Sequence, residues 1–257
     1  MRALVETIRI DGLPVRLRTL APAGRVRDTL APTVVLVHGI GMSHLSFTRT
    51  QRALARTHRT ITVDLPGFGG LPAAGRRLSV EELARVVVGA LRAKGIVDCV
   101  LVGQSMGTQV VTEAALRQPD LVAAVVLIGP VTNDRRPTLV QQAVDLMRDM
   151  VVEGPRMNAI VLFDYARSFR QYVHELRPMV RYPTRQAVAR LQVPVLVVRG
   201  TLDPIARPDW ARRLVAAAAR GALVELPGAH HVQEHSPVAF AEVVDEFRRV
   251  ETLERLQ

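Results

Sequence analysis

Gly103-Gln104-Ser105-Met106-Gly107 decides how this chain is read. The five residues follow an apolar run, Cys99-Val100-Leu101-Val102, whose unbroken hydrophobicity fits a strand buried on both faces. They precede Thr108 to Arg117, which reads as a helix. A serine held on a sharp turn between strand and helix carries a strained backbone, and its hydroxyl stands clear of the sheet. Side chains two positions to either side would collide, and Gly103 and Gly107 remove both. Glycine and serine are common in loops, so G-x-S-x-G alone recurs by chance; its meaning depends on partners elsewhere in the chain.

Outward from this centre, toward the N-terminus, strands and helices alternate. Ala3 to Ile10 and Val15 to Leu20 read as two strands of an antiparallel hairpin joined through Asp11-Gly12-Leu13-Pro14, with Pro14 in the turn. Thr33 to Val37 is a short β-branched run that ends at His38-Gly39-Ile40-Gly41, where glycines bring backbone N–H groups to the surface and an anion can meet them. Leu45 to Arg56 reads as a helix and Thr60 to Val63 as a strand that leads into Asp64-Leu65-Pro66-Gly67. A carboxylate beside a Pro-Gly turn, such as Asp64, is expected to accept backbone hydrogen bonds and fix the loop rather than act as a catalytic acid. Ser79 followed three residues later by Glu82 is a capping box, which opens a helix with Leu83, Val86, Val87, Ala90 and Leu91 on its apolar face.

Toward the C-terminus, Val122 to Ile128 is a further strand, and then the rhythm breaks. Residues 131–191 show no convincing strand but contain helical stretches at Leu139 to Val152 and Ala159 to Tyr172, punctuated by Gly154-Pro155, Pro178 and Pro183. An insertion after a strand on the ligand-binding edge of a sheet is where a helical lid belongs. Alternation returns with the strand Val193 to Val198, a helix from Pro208 to about Ala219, the strand Ala222 to Leu226 and a last helix opened by Ser236-Pro237. The expected organisation is an α/β core from 1–130 and 192–257, built on a mostly parallel sheet flanked by helices, with a helical lid at 131–191.

Composition narrows the partners. The formal charge of +10 comes from arginines spread along the chain, with Lys94 the only lysine, and aromatic residues are 4% of the total. A nucleic-acid surface calls for clustered charge with interleaved stacking rings, so neither double nor single strands are expected partners. The single cysteine, Cys99, lies in an apolar strand and reads as a packed thiol. No apolar stretch approaches the roughly 20 residues needed to span a bilayer, and no signal peptide is visible at Met1 to Ile10, so a cytoplasmic protein without a membrane partner is expected. No His/Cys/Asp/Glu grouping has metal-ligand spacing, and the glycines match neither a P-loop nor a dinucleotide fingerprint, so neither metal nor cofactor is expected.

A serine hydroxyl is a poor nucleophile near neutral pH unless a positioned base takes its proton and a third group orients that base. Ser105, Asp203 and the pair His230/His231 each follow a strand, and the carboxyl ends of parallel strands face one crevice. The order Ser, Asp, His is that of the α/β-hydrolase fold. The chain resembles an α/β-hydrolase of the esterase, lipase and C–C-hydrolase type over nearly its whole length: at His38-Gly39, Asp64-Leu65-Pro66-Gly67, Gly103 to Gly107, Gly200…Asp203 and Gly228…His230. The resemblance implies Ser105 as nucleophile, Asp203 as acid, and an oxyanion hole from the backbone N–H groups of Ile40 and Met106. In relatives the base commonly precedes a proline by seven positions, which points from Pro237 to His230 rather than His231. Asn133-Asp134 is the rival neighbourhood for the acid, and His38 reads as a brace for the oxyanion loop. His44, His58, His174 and His235 have no partner that sequence can name.

The function expected is cofactor-independent hydrolysis of a carboxylic ester, or a similar acyl bond, in a small apolar substrate. Met42, Leu45, Met106, Phe163 and Tyr165 are expected to line the pocket, because they are bulky and lie on the segments that form the oxyanion hole and the insertion. Hydrolysis of a carbon–carbon bond in a diketone-like substrate, which uses the same triad, is the alternative within enzymes. A non-hydrolytic lyase, cofactor-free oxygenase or ligand-binding protein is the alternative outside hydrolysis.

Overall fold

The first two strands, β1 (Leu4–Ile10) and β2 (Leu13–Leu20), meet at a two-residue turn whose Asp11 and Gly12 both have positive φ, +50° and +77°. Such a turn matches the right-handed twist of the strands it joins. Pro14 does not belong to this turn: it pairs with Arg9 inside the hairpin. Its missing N–H is tolerated because the pairing of β2 with its other neighbour begins only at Arg16. The structure, a computed structural model, describes residues 2–22, 32–135 and 138–255.

Every residue of β3 (Val34–Val37), β4 (Thr60–Asp64), β5 (Cys99–Gln104), β6 (Val122–Ile128) and β7 (Val195–Gly200) is buried. With β8 (Gly221–Leu226) they complete a sheet of order β1-β2-β4-β3-β5-β6-β7-β8, parallel from β4 to β8 and antiparallel at β1 and β2. Strands buried on both faces need helices on both faces, and the period of two assigns the side chains. Val35, Val37, Leu101, Val125, Leu127 and Val197 pack toward α2 (Val80–Ala93), α3 (Met106–Arg117) and α7 (Pro208–Ala217). Leu36, Val100, Val102, Val126, Ile128 and Val198 pack on the other side with Leu54 of α1 (Thr48–Leu54) and with Phe240 and Val244 of the last helix, Pro237–Arg255. The capping box at the start of α2 is reciprocal, Glu82 N–H to Ser79 Oγ at 3.2 Å and Ser79 N–H to Glu82 Oε2 at 2.9 Å.

Between β6 and β7 the described chain is helical: α4 (Leu139–Val152), α5 (Pro155–Arg181) and α6 (Thr184–Val188). The second of these is longer than the sequence suggests. Pro155 is tolerated in its first turn, where an N–H has no partner in any case, and Pro178 interrupts only the last turn rather than ending the helix. Beyond β8 come α8 (Val232–His235) and α9 (Pro237–Arg255). Among the described residues no helix is long and apolar enough to cross a membrane.

Candidate active site

Ser105 is the single residue between β5 and α3, with φ +55° and ψ −122°. That conformation is costly for any residue but glycine and persists only where the surroundings enforce it. The enforcement is visible at the flanking glycines: a β-carbon on Gly103 would lie 2.2 Å from the carbonyl oxygen of Gly107, and one on Gly107 2.2 Å from that of Val37. The Ser105 N–H donates to the Ile128 carbonyl at 2.9 Å, which ties the turn to the end of β6.

The loop after β3 lies against this turn. A β-carbon on Gly39 would stand 2.8 Å from Ser105 Cβ, so the backbone leading to Ile40 passes directly over the serine. His38 holds that loop from beneath. Its Nε2 accepts the Leu65 N–H at 3.0 Å, so its Nδ1 carries the hydrogen and donates to the Gly39 carbonyl at 2.8 Å. Burial lowers the His38 pKa and keeps the ring neutral, as this tautomer requires. Met106 opens α3, where a backbone N–H has no acceptor within the helix.

Asp203, past the end of β7, and His230, past the end of β8, form a buried pair at 3.0 Å between Oδ2 and Nδ1. The other carboxylate oxygen accepts the N–H groups of Ile205 and Ala206 at 2.8 and 2.9 Å. Burial would raise the Asp203 pKa, but His230 and these two donors together hold it below the ordinary carboxylate value. For His230 burial acts downward, and the facing carboxylates of Asp203, Asp149 and Glu153 prevail, so its pKa is pushed up to about 9. Gly129, at φ +54°, makes room: a β-carbon there would lie 2.8 Å from the His230 ring. Its Nε2 has no hydrogen-bond partner among the described residues.

The two adjacent histidines face different acids. His231 Nδ1 is 3.0 Å from Glu153 Oε1, and His235 Nε2 is 2.6 Å from Glu153 Oε2. Main-chain N–H groups are gripped as well, His230 by Asp149 at 3.0 Å and His231 by Glu153 at 2.8 Å. Burial raises the Asp149 pKa, the nearby Glu153 charge adds to the rise, and the value reaches about 6. Burial acts the same way on Glu153, but its two histidines prevail and hold it down at about 2. Asp149, Glu153 and His231 also form the group whose ligating atoms lie within 4.8 Å of one another. Both oxygens of Glu153 are already engaged by His231 and His235, and Asp149 Oδ1 by the His230 N–H.

Ser105 and His230 line one cavity of about 230 Å³, walled mainly by apolar side chains such as Ile40, Met42, Val161, Leu176 and Ile205. Of the expected pocket residues, Met42 and Tyr165 are in its wall. Phe163, Leu45 and Met106 are not, and the expectation for them is corrected; the Met106 side chain is packed in the core beneath the turn. Phe163 is two positions from both Val161 and Tyr165 and so points to the opposite side of α5, where it is 53% exposed beneath the Arg167 guanidinium. Leu45 lines a separate surface depression with Arg18 and Arg52. Asp134 is on the surface, paired with Arg185 at 2.7 Å and Arg213 at 3.2 Å. Asp64 accepts the His44 N–H at 2.7 Å and faces the His44 ring at 3.0 Å, so it ties the end of β4 to the segment after β3 rather than to its own Pro-Gly turn. Asp149, Asn158 and Tyr172 are cavity residues that sequence reasoning missed.

A strained serine between strand and helix, a buried His–Asp pair on later strand ends and a shared cavity define the hydrolase class of α/β protein. The profile described as the alpha/beta hydrolase family matches residues 34–243, and the chain belongs to that family. Among similar proteins is an uncharacterized hydrolase, YugF, of Bacillus subtilis, 26% identical, the match covering 95% of this chain and 97% of that one. A pimeloyl-[acyl-carrier protein] methyl ester esterase of Nitrosospira multiformis is 28% identical over 78% of this chain and 88% of its own. The crystal structure of the enol-lactonase from Burkholderia xenovorans superimposes with a TM-score of 0.77 at 21% identity, covering 94% of this chain and 99% of that one, a likeness of fold.

Proposed function

We propose that the chain is a serine hydrolase of carboxylic esters, with Ser105 as nucleophile, His230 as base and Asp203 as the acid that orients it. The observation that carries this reading is the His230–Asp203 pair at 3.0 Å in the wall of a cavity that also holds Ser105 at φ +55°. The Ser105 hydroxyl attacks the ester carbonyl as His230 Nε2 takes its proton, and Asp203 stabilises the imidazolium through Nδ1. Charge developing on the carbonyl oxygen meets the N–H groups of Ile40 and Met106, each such donor typically worth about 3 kcal/mol. His230 returns the proton to the leaving alcohol, and water activated by the same ring then releases the acid from Ser105. The small, largely apolar cavity suits short or narrow acyl and alcohol groups, with Met42 and Tyr165 among the side chains that select them. The insertion serves as the lid of that cavity.

A base must be neutral to accept a proton. With His230 pushed up to about 9, esterase activity of the free enzyme is expected to climb from neutral pH toward that value. The direct test pairs hydrolysis of p-nitrophenyl butyrate with labelling by a fluorophosphonate. Ser105→Ala is expected to abolish labelling and to lower kcat/KM by at least about 10⁴-fold. Folded wild-type protein that neither labels nor hydrolyses a broad panel of esters would overturn the reading.

A further inference from the structure

The insertion has an unusual distribution of charge. Residues 138–182 contain five acids, Asp145, Asp149, Glu153, Asp164 and Glu175, and all five are buried. Its arginines, Arg148, Arg156, Arg167, Arg170, Arg177 and Arg181, are all exposed. Two of the six are paired with buried acids, Arg148 with Asp145 at 3.5 Å and Arg156 with Glu234 at 3.0 Å, and the others leave the outward side of these helices positive.

Between the arginines the same face is apolar. Val140, Val144, Met147 and Val151 follow one another along α4 at spacings of four, three and four, a single stripe, and its end members are 73% and 84% exposed. On α5, Leu162, Phe169 and Val173 form a second exposed stripe, with Phe163 beside it. The inward side of α4 already has its partner, since Leu146 and Met150 line the cavity beside the buried Asp149. The exposed apolar stripe on its outward side has no such partner, and a contiguous exposed apolar patch marks an interaction surface.

We infer that the outer face of α4 and α5 docks on an anionic phospholipid surface, its aliphatic and phenyl side chains entering the boundary between headgroups and acyl chains and its arginines meeting the phosphates. Interfacial helices combine these two features. A second copy of the chain fits less well, because a two-fold contact of these helices would set arginine against arginine with no exposed acid on α4 or α5 of either copy. A protein partner fits less well too: the exposed stripes hold valine, leucine, methionine and phenylalanine, without the tryptophan and tyrosine that anchor such interfaces. Docking does not need a spanning helix, so the lack of one, on which the expectation of no membrane partner rested, does not bear on it. Since α4 is also a wall of the cavity, docking would bring that cavity to the lipid surface.

The test is sedimentation of the purified chain with phosphatidylcholine vesicles, with and without phosphatidylglycerol, at low and high salt. Wild type is expected to pellet at least about tenfold better with the anionic vesicles, and salt should weaken the effect. The double variants Val151→Asp/Phe169→Asp and Arg170→Glu/Arg177→Glu should each lose that preference. Val97→Asp, at an equally exposed apolar residue outside the insertion, should keep it. Hydrolysis of soluble p-nitrophenyl butyrate and circular dichroism, unchanged in all three variants, show that each is folded. Failure of wild type to pellet, pelleting indifferent to the arginine changes, or a dimer by light scattering that Val151→Asp/Phe169→Asp dissolves would each overturn the proposal. Because binding is read without ester turnover, its failure is distinct from failure of the hydrolase reading.

Discussion

The sheet and the helical insertion bury their residues by opposite rules. In β5 and β6 the buried residues are almost all apolar, and the helices against them present apolar faces such as Leu83, Val87 and Leu91 of α2. Along α4 and at its C-cap the buried line is Asp145, Asp149 and Glu153, and in α5 Asp164, Ser168, Gln171 and Glu175 are buried in line with Met157, Val161 and Met179. These polar groups are paired with loops of the core or with one another. Asp164 accepts from Ser43 Oγ at 2.7 Å, Ser168 donates to the Gly41 carbonyl at 2.9 Å, and Glu153 holds the histidine loop. A region joined by close packing fails when volume changes, whereas one joined by buried hydrogen bonds fails when a proton or a partner is lost.

The largest effect expected from that difference is at glycines. Gly107→Ala would drive a methyl group to within 2.2 Å of the Val37 carbonyl oxygen, with backbone on both sides and nowhere to relax. Loss of at least about 3 kcal/mol, or failure to accumulate as soluble protein, is expected. Gly154→Ala, in the insertion, meets nothing closer than 3.7 Å. It is expected to cost no more than about 1 kcal/mol, through a weaker cap on α5. Urea melts of the two variants measure the contrast, and equal losses would remove the claim that packing governs the core.

The insertion should respond to pH instead. Burial raises the Glu175 pKa to about 8, although the Gln171 amide at 2.6 Å favours the ionised form. The unfolded chain releases this proton near its ordinary value of 4.5, while the folded chain keeps it to about 8. Through that window the unfolded state binds fewer protons, so this group lowers stability by up to about 1.4 kcal/mol per pH unit as pH rises. Glu175→Gln keeps an acceptor for Gln171 and removes the titration. The variant is expected to match wild type near pH 4.5 and to melt progressively above it toward pH 8. Parallel thermal melts over that range would show that Glu175 is hydrated in the folded state.

The same contrast explains what the sequence makes legible. Continuous apolar runs such as Val122 to Ile128 have only one reading, and each strand that ends in a chemically distinctive residue marks a point of the crevice, which is how Ser105, Asp203 and His230 could be singled out before any geometry. A seven-residue spacing to Pro237 separated His230 from His231, and the structure pairs the former with Asp203 and the latter with Glu153. In α4 and α5 the helical period is just as clear, but a period reveals two faces without saying which is inside. The ordinary rule buries the apolar side. Applied to α4 it would hide Val140 and Val151 and leave Asp149 in water, the reverse of their placement. Phe163, expected in the pocket for its bulk and its place on the insertion, lies on the outer side of α5 for the same reason. What inverts the insertion is a set of long-range hydrogen bonds, from Asp149 and Glu153 to residues about 80 positions away, and no local pattern encodes such a partner.

Asp149 is where the two regions touch the chemistry together, and it yields the smallest effect and the sharpest. Its carboxylate, carried on the insertion, accepts the main-chain N–H of His230 at 3.0 Å without touching the ring. Its charge nonetheless belongs to the field that pushes His230 up to about 9. Asp149→Asn keeps an oxygen to accept that N–H and deletes the charge. The imidazolium then loses one stabilising neighbour, so the His230 pKa falls and the alkaline rise in kcat/KM moves to lower pH, by about half a unit to one unit. Activity near neutral pH should rise by a few-fold for the same reason, since more of the base is neutral there. A role confined to holding the loop predicts a lower plateau and an unmoved midpoint. The pH profile of ester hydrolysis therefore separates the two, and a midpoint unchanged in Asp149→Asn would confine the insertion to shaping the cavity, with no part in tuning the base.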